Sequence, residues 1–178
     1  MINLLLYKKS SDVKTPTYGT KYSTCFDLEF NPTESVVRGY NNCNYEHTAV
    51  VDKDGCVEIG DGDRLLIPTG LIARLDVSNI SNNPYLYSIR LHARSGLALK
   101  RGLVLANAEG IVDVDYQNEI FVLLHNISYI TQKIKKGDRI AQAEIVRNEP
   151  FRIQLLDSPP EQLSERNGGF GSTGVSSK

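Results

Sequence analysis

The stretch Gly110-Ile111-Val112-Asp113-Val114-Asp115-Tyr116-Gln117-Asn118-Glu119 sets acidic side chains and a phenol between apolar flanks. Such a set could do general-base chemistry beside an aromatic packing surface. On one continuous strand Asp113 and Tyr116 would face opposite ways, because only residues i and i+2 share a face. A turn at Asp115–Asn118 removes that restriction, and a hairpin could then offer the carboxylate and the ring to one pocket. Taken alone, the same residues also make an ordinary solvated turn.

Three further segments carry groups suited to anions. In Ala93-Arg94-Ser95-Gly96-Leu97-Ala98 a Ser-Gly step opens a short helix predicted over Ser95–Lys100, with Ser95 able to cap it and Arg94 supplying a fork for phosphate oxygens. A capped structural helix with a surface arginine has the same composition. Gly137-Asp138-Arg139-Ile140-Ala141-Gln142 reads as a turn entering a strand, and the recurrence of Gly-Asp-Arg at Gly62-Asp63-Arg64 shows how little that triplet says alone. The tail Arg166-Asn167-Gly168-Gly169-Phe170-Gly171-Ser172-Thr173-Gly174 joins one arginine and one phenylalanine to glycines that let backbone approach a phosphate chain. Its bland counterpart is a floppy terminus.

The elements that must position these groups read as strands. β-branched and aromatic residues recur in short runs separated by turn residues, at Ile2–Leu6, Tyr22–Leu28, Arg64–Pro68, Tyr85–Leu91, Glu119–Leu124 and Ile140–Val146. In the last, Ile140, Gln142 and Glu144 alternate with Ala141, Ala143 and Ile145, the period of a half-buried strand. Many short strands predict a sandwich or barrel. Thr33–Cys56 is polar, Asn-rich and broken by Gly39 and Gly55, which predicts a surface insertion. From Ser158 the composition turns to proline, glycine and serine and cannot build a core. This divides the chain into a folded unit over residues 1–157 and an arm over 158–178.

The 178 residues suffice for one domain with a sizeable core, and the formal net charge of -1 supports neither a nucleic-acid nor a membrane surface. No apolar run reaches the roughly 18 residues of a membrane helix. Met1–Leu6 is apolar with Lys8 and Lys9 after it, the reverse of a secretory signal. Cys25, Cys43 and Cys56 are too few and odd in number for a disulfide framework, which points to a reducing cytoplasm. Cys43, His47 and Cys56 match no common zinc spacing, and three free thiols are the simpler reading.

Together and in this order, the segments resemble the trimeric all-β dUTPase family. Its five motifs are matched at Ser23–Leu28, Ala93–Ala98, Asn107–Gln117, Gly137–Gln142 and Arg166–Gly174, and Gly102–Asn107 leading into the third is also family-like. The resemblance spans nearly the whole chain except Thr33–Cys56. It implies an all-β, jelly-roll-like distorted β-barrel with one short helix and a flexible glycine-rich arm. It also implies a homotrimer whose three sites lie between subunits and are closed by a neighbour's arm. The implied reaction is hydrolysis of dUTP to dUMP and pyrophosphate by water attack on the alpha phosphorus. Mg2+ would assist, held mainly by the triphosphate and waters, so that no direct protein metal ligand is expected.

Residue by residue, Asp113 resembles the aspartate that orients and activates the attacking water. Tyr116 resembles the tyrosine packed under the deoxyribose, which leaves no room for a 2′-hydroxyl. Asn107 and Gly110 lie where the family binds uracil. Arg94, Ser95, Gly96 and Gln142 resemble the phosphate-contacting set, and Asp27 a supporting carboxylate near the metal. In the arm, Arg166 would reach the terminal phosphate and Phe170 would stack on uracil. Gly171, Ser172 and Thr173 would add contacts to the phosphates. Departures are Ala93 for the usual Pro, Cys25 for Gly, Asn118 for a common Gly, and an arm one residue shorter between Arg166 and Gly168.

Two other readings remain at this level. A dCTP deaminase, on a related fold, would imply a glutamate in the strand after the hairpin, yet Phe121-Val122-Leu123-Leu124-His125-Asn126 holds no acid. A protein-binding regulator would use Thr33–Cys56 as an interaction surface alongside hydrolysis.

Overall fold

Short amphipathic runs that cannot bury themselves singly must pair, and here they do so in three antiparallel sheets. The computed structural model describes residues 2–78 and 86–165. Its strands are β1 (Asn3–Lys8), β2 (Phe26–Glu29), β3 (Val36–Tyr40), β4 (Glu46–Val50), β5 (Cys56–Ile59), β6 (Arg64–Asp76), β7 (Tyr87–His92), β8 (Leu103–Leu105), β9 (Gly110–Val112), β10 (Glu119–Asn126), β11 (Gln132–Lys135) and β12 (Arg139–Arg147). Helix α1 (Ser95–Arg101) lies between β7 and β8. The large sheet runs β4-β3-β6-β10-β8 with β1 also on β6; a second runs β2-β12-β7-β9; β5 and β11 form a ribbon. The architecture is all-β and jelly-roll-like, although hydrogen bonds do not close the sheets into one barrel.

One apolar cluster fills the space between the sheets. Leu65, Ile67, Val122 and Leu124 enter it from the large sheet, Leu28, Ile89, Ile140 and Ala143 from the second, and Val57 and Ile134 from the ribbon. β2 and β11 contribute alternate residues, as the two-residue period demands, whereas β6 buries a continuous run from Ile67 to Leu71.

The strand expected at Arg64–Pro68 runs on to Asp76. Pro68-Thr69-Gly70 looks like a turn but is a kink within the strand, with Gly70 at φ +70° and the β10 register shifting between Glu119 and Phe121. Polar side chains fill the bonds lost at the kink. The Gly70 N–H donates to Glu119 Oε1 (2.8 Å), and the Thr69 hydroxyl donates to the Ile120 carbonyl (2.7 Å). Lys9 Nζ meets the buried Glu119 carboxylate at 2.6 Å.

Thr33–Cys56 is not merely a surface loop. It holds the β3–β4 hairpin, and β3 joins β6 through Gly39 opposite Leu65 and Tyr40 opposite Arg64. Val37 and Ala49 are buried in the core. Gly39 suggests a break in the sequence, yet it is what lets the strands meet: a Cβ there would lie 2.0 Å from the Arg64 carbonyl oxygen.

The expected hairpin at Asp115–Asn118 is also revised. β9 pairs with β7, whereas β10 pairs with β6 and β8, so residues 113–118 cross from one sheet to the other. Val112, Ile120 and Val122 are all buried, so the two strands enter the core, each from its own sheet. The turn sits two residues earlier, with the Tyr116 N–H donating to the Asp113 carbonyl at 3.2 Å. Among the described non-glycine residues Asn44 and Ala108 have positive φ, and Asn118 does not. The candidate strand at Tyr22–Leu28 begins only at Phe26, because Ser23 Oγ accepts the Thr20 N–H (3.0 Å) and holds a turn there.

Candidate active site

The register of the second sheet brings three distant segments together. Asp27 on β2 lies opposite Gln142 on β12, and Gln142 lies opposite His92 on β7. Phe26 and Leu28 face the core, so Asp27 projects from the other face. Asp27 Oδ1 is 3.0 Å from Arg94 Nε, and Oδ2 is 3.0 Å from Arg139 Nη1. Arg94 Nη1 also donates to the Arg139 carbonyl (3.2 Å), and Gln142 Nε2 donates to the Ala93 carbonyl (3.1 Å). The backbone entering α1 is thereby pinned from two sides. Two guanidiniums on one carboxylate leave one net positive charge, which suits a polyanion.

Ser95 does not cap the helix. Arg94 occupies the capping position in extended conformation, without a side-chain bond to the helix, and Ser95 is the first helical residue. Ser95 and Gly96 are exposed, and a Cβ on Gly96 would meet nothing within 4 Å, so solvent reaches the helix opening. The paired Gly-Asp-Arg triplets explain themselves as turns. Gly62 and Gly137 both have positive φ, and Asp63 and Asp138 accept the N–H groups of Gly60 and Lys135 (each 2.9 Å). Only the second triplet delivers its arginine to Asp27. Arg139, absent from the candidates read from sequence, joins this cluster through Asp27, and the cheap local motif gave no sign of it.

A separate cleft of about 370 Å3 is walled by Asn107, Gly110 and Tyr116, with Leu91, Leu105 and Phe121 as apolar lining. Asn107 sits in a tight reversal: the Ala108 N–H donates to Leu105 (3.2 Å), Ala108 has φ +60°, and the Glu109 N–H points back to the Asn107 carbonyl (2.6 Å). Gly110 allows β9 to press on β7, since a Cβ would come within 2.9 Å of the Leu91 side chain. Tyr116 donates its hydroxyl to the Glu119 carbonyl (2.8 Å), which fixes the ring. Burial, with the nearby Glu119 charge, raises the phenol pKa above its ordinary value and keeps it a neutral donor. Glu119, buried beneath the turn, was also missed from sequence; its position in a strand looked like ordinary patterning.

Asp113 is exposed and does not line this cleft. Nor do Arg94, Ser95 or Gln142. Gly110 pairs with Leu91 and Val112 with Ile89, so β9 runs away from Arg94. At roughly 3.3 Å per residue, Asp113 lies about 10 Å further along than Gly110. The single chain thus separates the Asn107–Tyr116 cleft and Asp113 from the Arg94 cluster. Arg166, Phe170, Gly171, Ser172 and Thr173 lie outside the described residues. No group of three His, Cys, Asp or Glu able to hold a metal occurs among the described residues.

Comparison with known proteins places this geometry in a family. The dUTPase family model matches residues 69–174, leaving the β3–β4 hairpin outside it. The deoxyuridine 5'-triphosphate nucleotidohydrolase of Caulobacter vibrioides is 32% identical over 170 residues, 95% of this chain and 91% of that protein. That of Rickettsia bellii is 39% identical over 135 residues, 73% of this chain and 83% of the relative. Among solved structures, the Staphylococcus bacteriophage 80alpha dUTPase with dUPNHPP superposes with a TM-score of 0.71 at 20% identity, covering 97% of this chain and 99% of that one, which speaks to the fold. Since the model spans more than half the sequence and the relatives pass 30% identity over most of both partners, the chain belongs to the dUTPase family.

Proposed function

We infer that this protein hydrolyses dUTP to dUMP and pyrophosphate, water attacking the alpha phosphorus. The observation that carries the reading is the cleft where Asn107, Gly110 and Tyr116 meet, on a chain of the dUTPase family. The Tyr116 ring, held through its hydroxyl, packs under the deoxyribose and excludes a ribose 2′-hydroxyl. Asn107 and the backbone at Gly110 read uracil, where a cytosine would leave polar groups mismatched. Arg94, with Ser95 and Gly96 at the opening of α1, takes the phosphates. Gln142 orients that segment through Ala93, and Asp27 aims the arginines. Asp113 accepts the proton of the attacking water, and catalysis is mainly positioning and charge stabilisation. The arm brings Arg166 to the terminal phosphate and Phe170 onto the base, with Gly171, Ser172 and Thr173 along the phosphates.

Magnesium fits as an ion carried by the triphosphate. Asp27 is engaged by two guanidiniums, and the exposed Asp113 offers carboxylate oxygens to metal-bound waters rather than a closed cage. Bound so, the ion would neutralise phosphate charge.

The active unit is a homotrimer with shared sites. The separation of Asp113 from Arg94 within one chain supports this, because a second copy can supply the missing half. So do Leu66 and Phe121, 43% and 40% exposed at or beside the nucleoside cleft, and the alternating exposed Phe151, Ile153 and Leu155 beyond the last strand. The three unpaired thiols fit the reducing cytoplasm, and no described helix is long and apolar enough to cross a membrane.

The test is a panel of dUTP, dCTP, dTTP and UTP with Mg2+, monitored for pyrophosphate and ammonia. Selective pyrophosphate release from dUTP is expected; ammonia from dCTP would overturn the assignment in favour of deamination.

A further inference from the structure

Three groups on the outer face of the second sheet have no part in the reading above. Glu109 lies between Asn107 and Gly110 in the tight reversal that walls the cleft. Its carboxylate takes Arg90 Nη1 at 3.1 Å and stands 3.8 Å from His92 Nδ1. Arg90 is itself held, donating from Nε to the Ser88 hydroxyl (3.1 Å) and from Nη2 to Asn148 Oδ1 (3.2 Å). His92 Nε2 lies 3.0 Å from Glu144. The strand β7 that carries Arg90 and His92 runs straight into Ala93-Arg94.

The reversal at Asn107–Glu109 is strained, because Ala108 holds a left-handed backbone that disfavours any Cβ. Such a conformation persists only where its surroundings over-determine it. Gly110 against Leu91 fixes one end. Asn107 itself is exposed, and among the described residues no side-chain hydrogen bond of its own holds it. The side chain that anchors the middle of the reversal is Glu109, and it anchors it to the strand leading to the phosphate-contacting arginine.

We propose that Glu109, clamped by Arg90 beside His92, is a positioning residue that sets the uracil-reading turn at Asn107 in register with the strand that carries Arg94. The proposal rests on the dUTP-hydrolase reading. It assigns Glu109 no contact with substrate. Its effect falls on nucleotide binding and base selection, since the misplacement of a positioning element by a fraction of an ångström weakens contacts without touching the reacting atoms.

The experiment uses the full chain and steady-state kinetics with dUTP and dCTP. Glu109→Ala should raise KM for dUTP by about tenfold, leave kcat within about twofold, and narrow the preference for dUTP over dCTP. Glu109→Gln, which keeps an acceptor for Arg90, should fall between Glu109→Ala and the wild type. Arg90→Gln should mimic Glu109→Ala, and the double variant should be no worse than either single. Thermal midpoints should stay close to wild type, because the Glu109 side chain is 44% exposed. Unchanged KM in Glu109→Ala, or additive losses in the double variant, overturns the proposal. If Glu109→Ala does not fold, a wild-type KM in Glu109→Gln beside a raised KM in Arg90→Gln overturns it as well. Wild-type protein inert toward dUTP would overturn the underlying function instead, so the two failures are distinguishable.

Discussion

The carboxylate of Asp27 grips Arg94 across the sheet, Oδ1 to Nε at 3.0 Å, although five strands of the chain separate the two residues. The link exists because β12 lies between β2 and β7 and aligns Asp27, Gln142 and His92 in one row. Arg139 completes the grip from the start of β12. A guanidinium fixed this way presents its remaining donors in one direction and loses less freedom on meeting a phosphate.

Asp27→Asn removes the charge that holds both arginines. Dissociation of a dUTP analogue should increase about tenfold, since each 1.4 kcal/mol is a factor of ten. Chemical denaturation should show a stability loss of about 1–3 kcal/mol, since Asp27 and Arg94 are largely buried. Unaltered affinity would mean that Arg94 needs no partner to be aimed.

Asp113→Asn should spare binding and suppress turnover. The side chain is exposed and makes no contact in the cleft, so its removal leaves Asn107 and Tyr116 undisturbed. Loss of a general base costs about 10^2 to 10^4 in rate. Calorimetric titration with a non-hydrolysable dUTP analogue, set beside pyrophosphate release, separates the two effects; near-normal kcat would remove Asp113 from the chemical step.

Gly39→Ala should loosen the β3–β4 hairpin. The added methyl would meet the Arg64 backbone oxygen at 2.0 Å, and backbone cannot step aside as a flexible side chain can. A loss of about 1–3 kcal/mol is expected from overpacking, read as a lowered thermal midpoint. Hydrogen exchange should quicken at Val37 and Leu65 first. A midpoint equal to wild type would return Thr33–Cys56 to the status of a detachable loop.

Asp52 provides a pH handle at the other end of that hairpin. It accepts from Lys133 Nζ (2.9 Å) and from the N–H of Cys56 (2.8 Å) and Asp54 (2.9 Å). These bonds, the lysine first, lower its pKa from 3.8 to about 2. A carboxyl depressed in the folded state adds stability above its unfolded value and loses it as pH falls from about 4 toward 2. The pair is solvated, so the effect on unfolding is small. Carboxyl carbon NMR should give a midpoint near 2 that climbs toward 3.8 in Lys133→Ala; a midpoint unmoved by that substitution would deny the ion pair.

Much of this protein was legible as a string. Six strands stood out by their period or β-branched texture, and five segments in order identified the family, because local alternation and turn chemistry depend on neighbours in sequence. What escaped depended on neighbours in space. Gly39 read as a breaker and Pro68 as the end of a strand, and only their pairing partners reveal strands that need the one and run on past the other. β9 and β10 read as one hairpin, but each must bury its apolar face, and the core offered them places on different sheets. Arg139 and Glu119 looked like ordinary turn and strand residues until the sheets set them against Asp27 and the Gly70 kink. Sequence determined which residues can form strands and which groups can do chemistry. Tertiary structure alone decided which of those groups meet, since hydrogen-bond register between distant strands, not distance along the chain, sets the separation of their side chains.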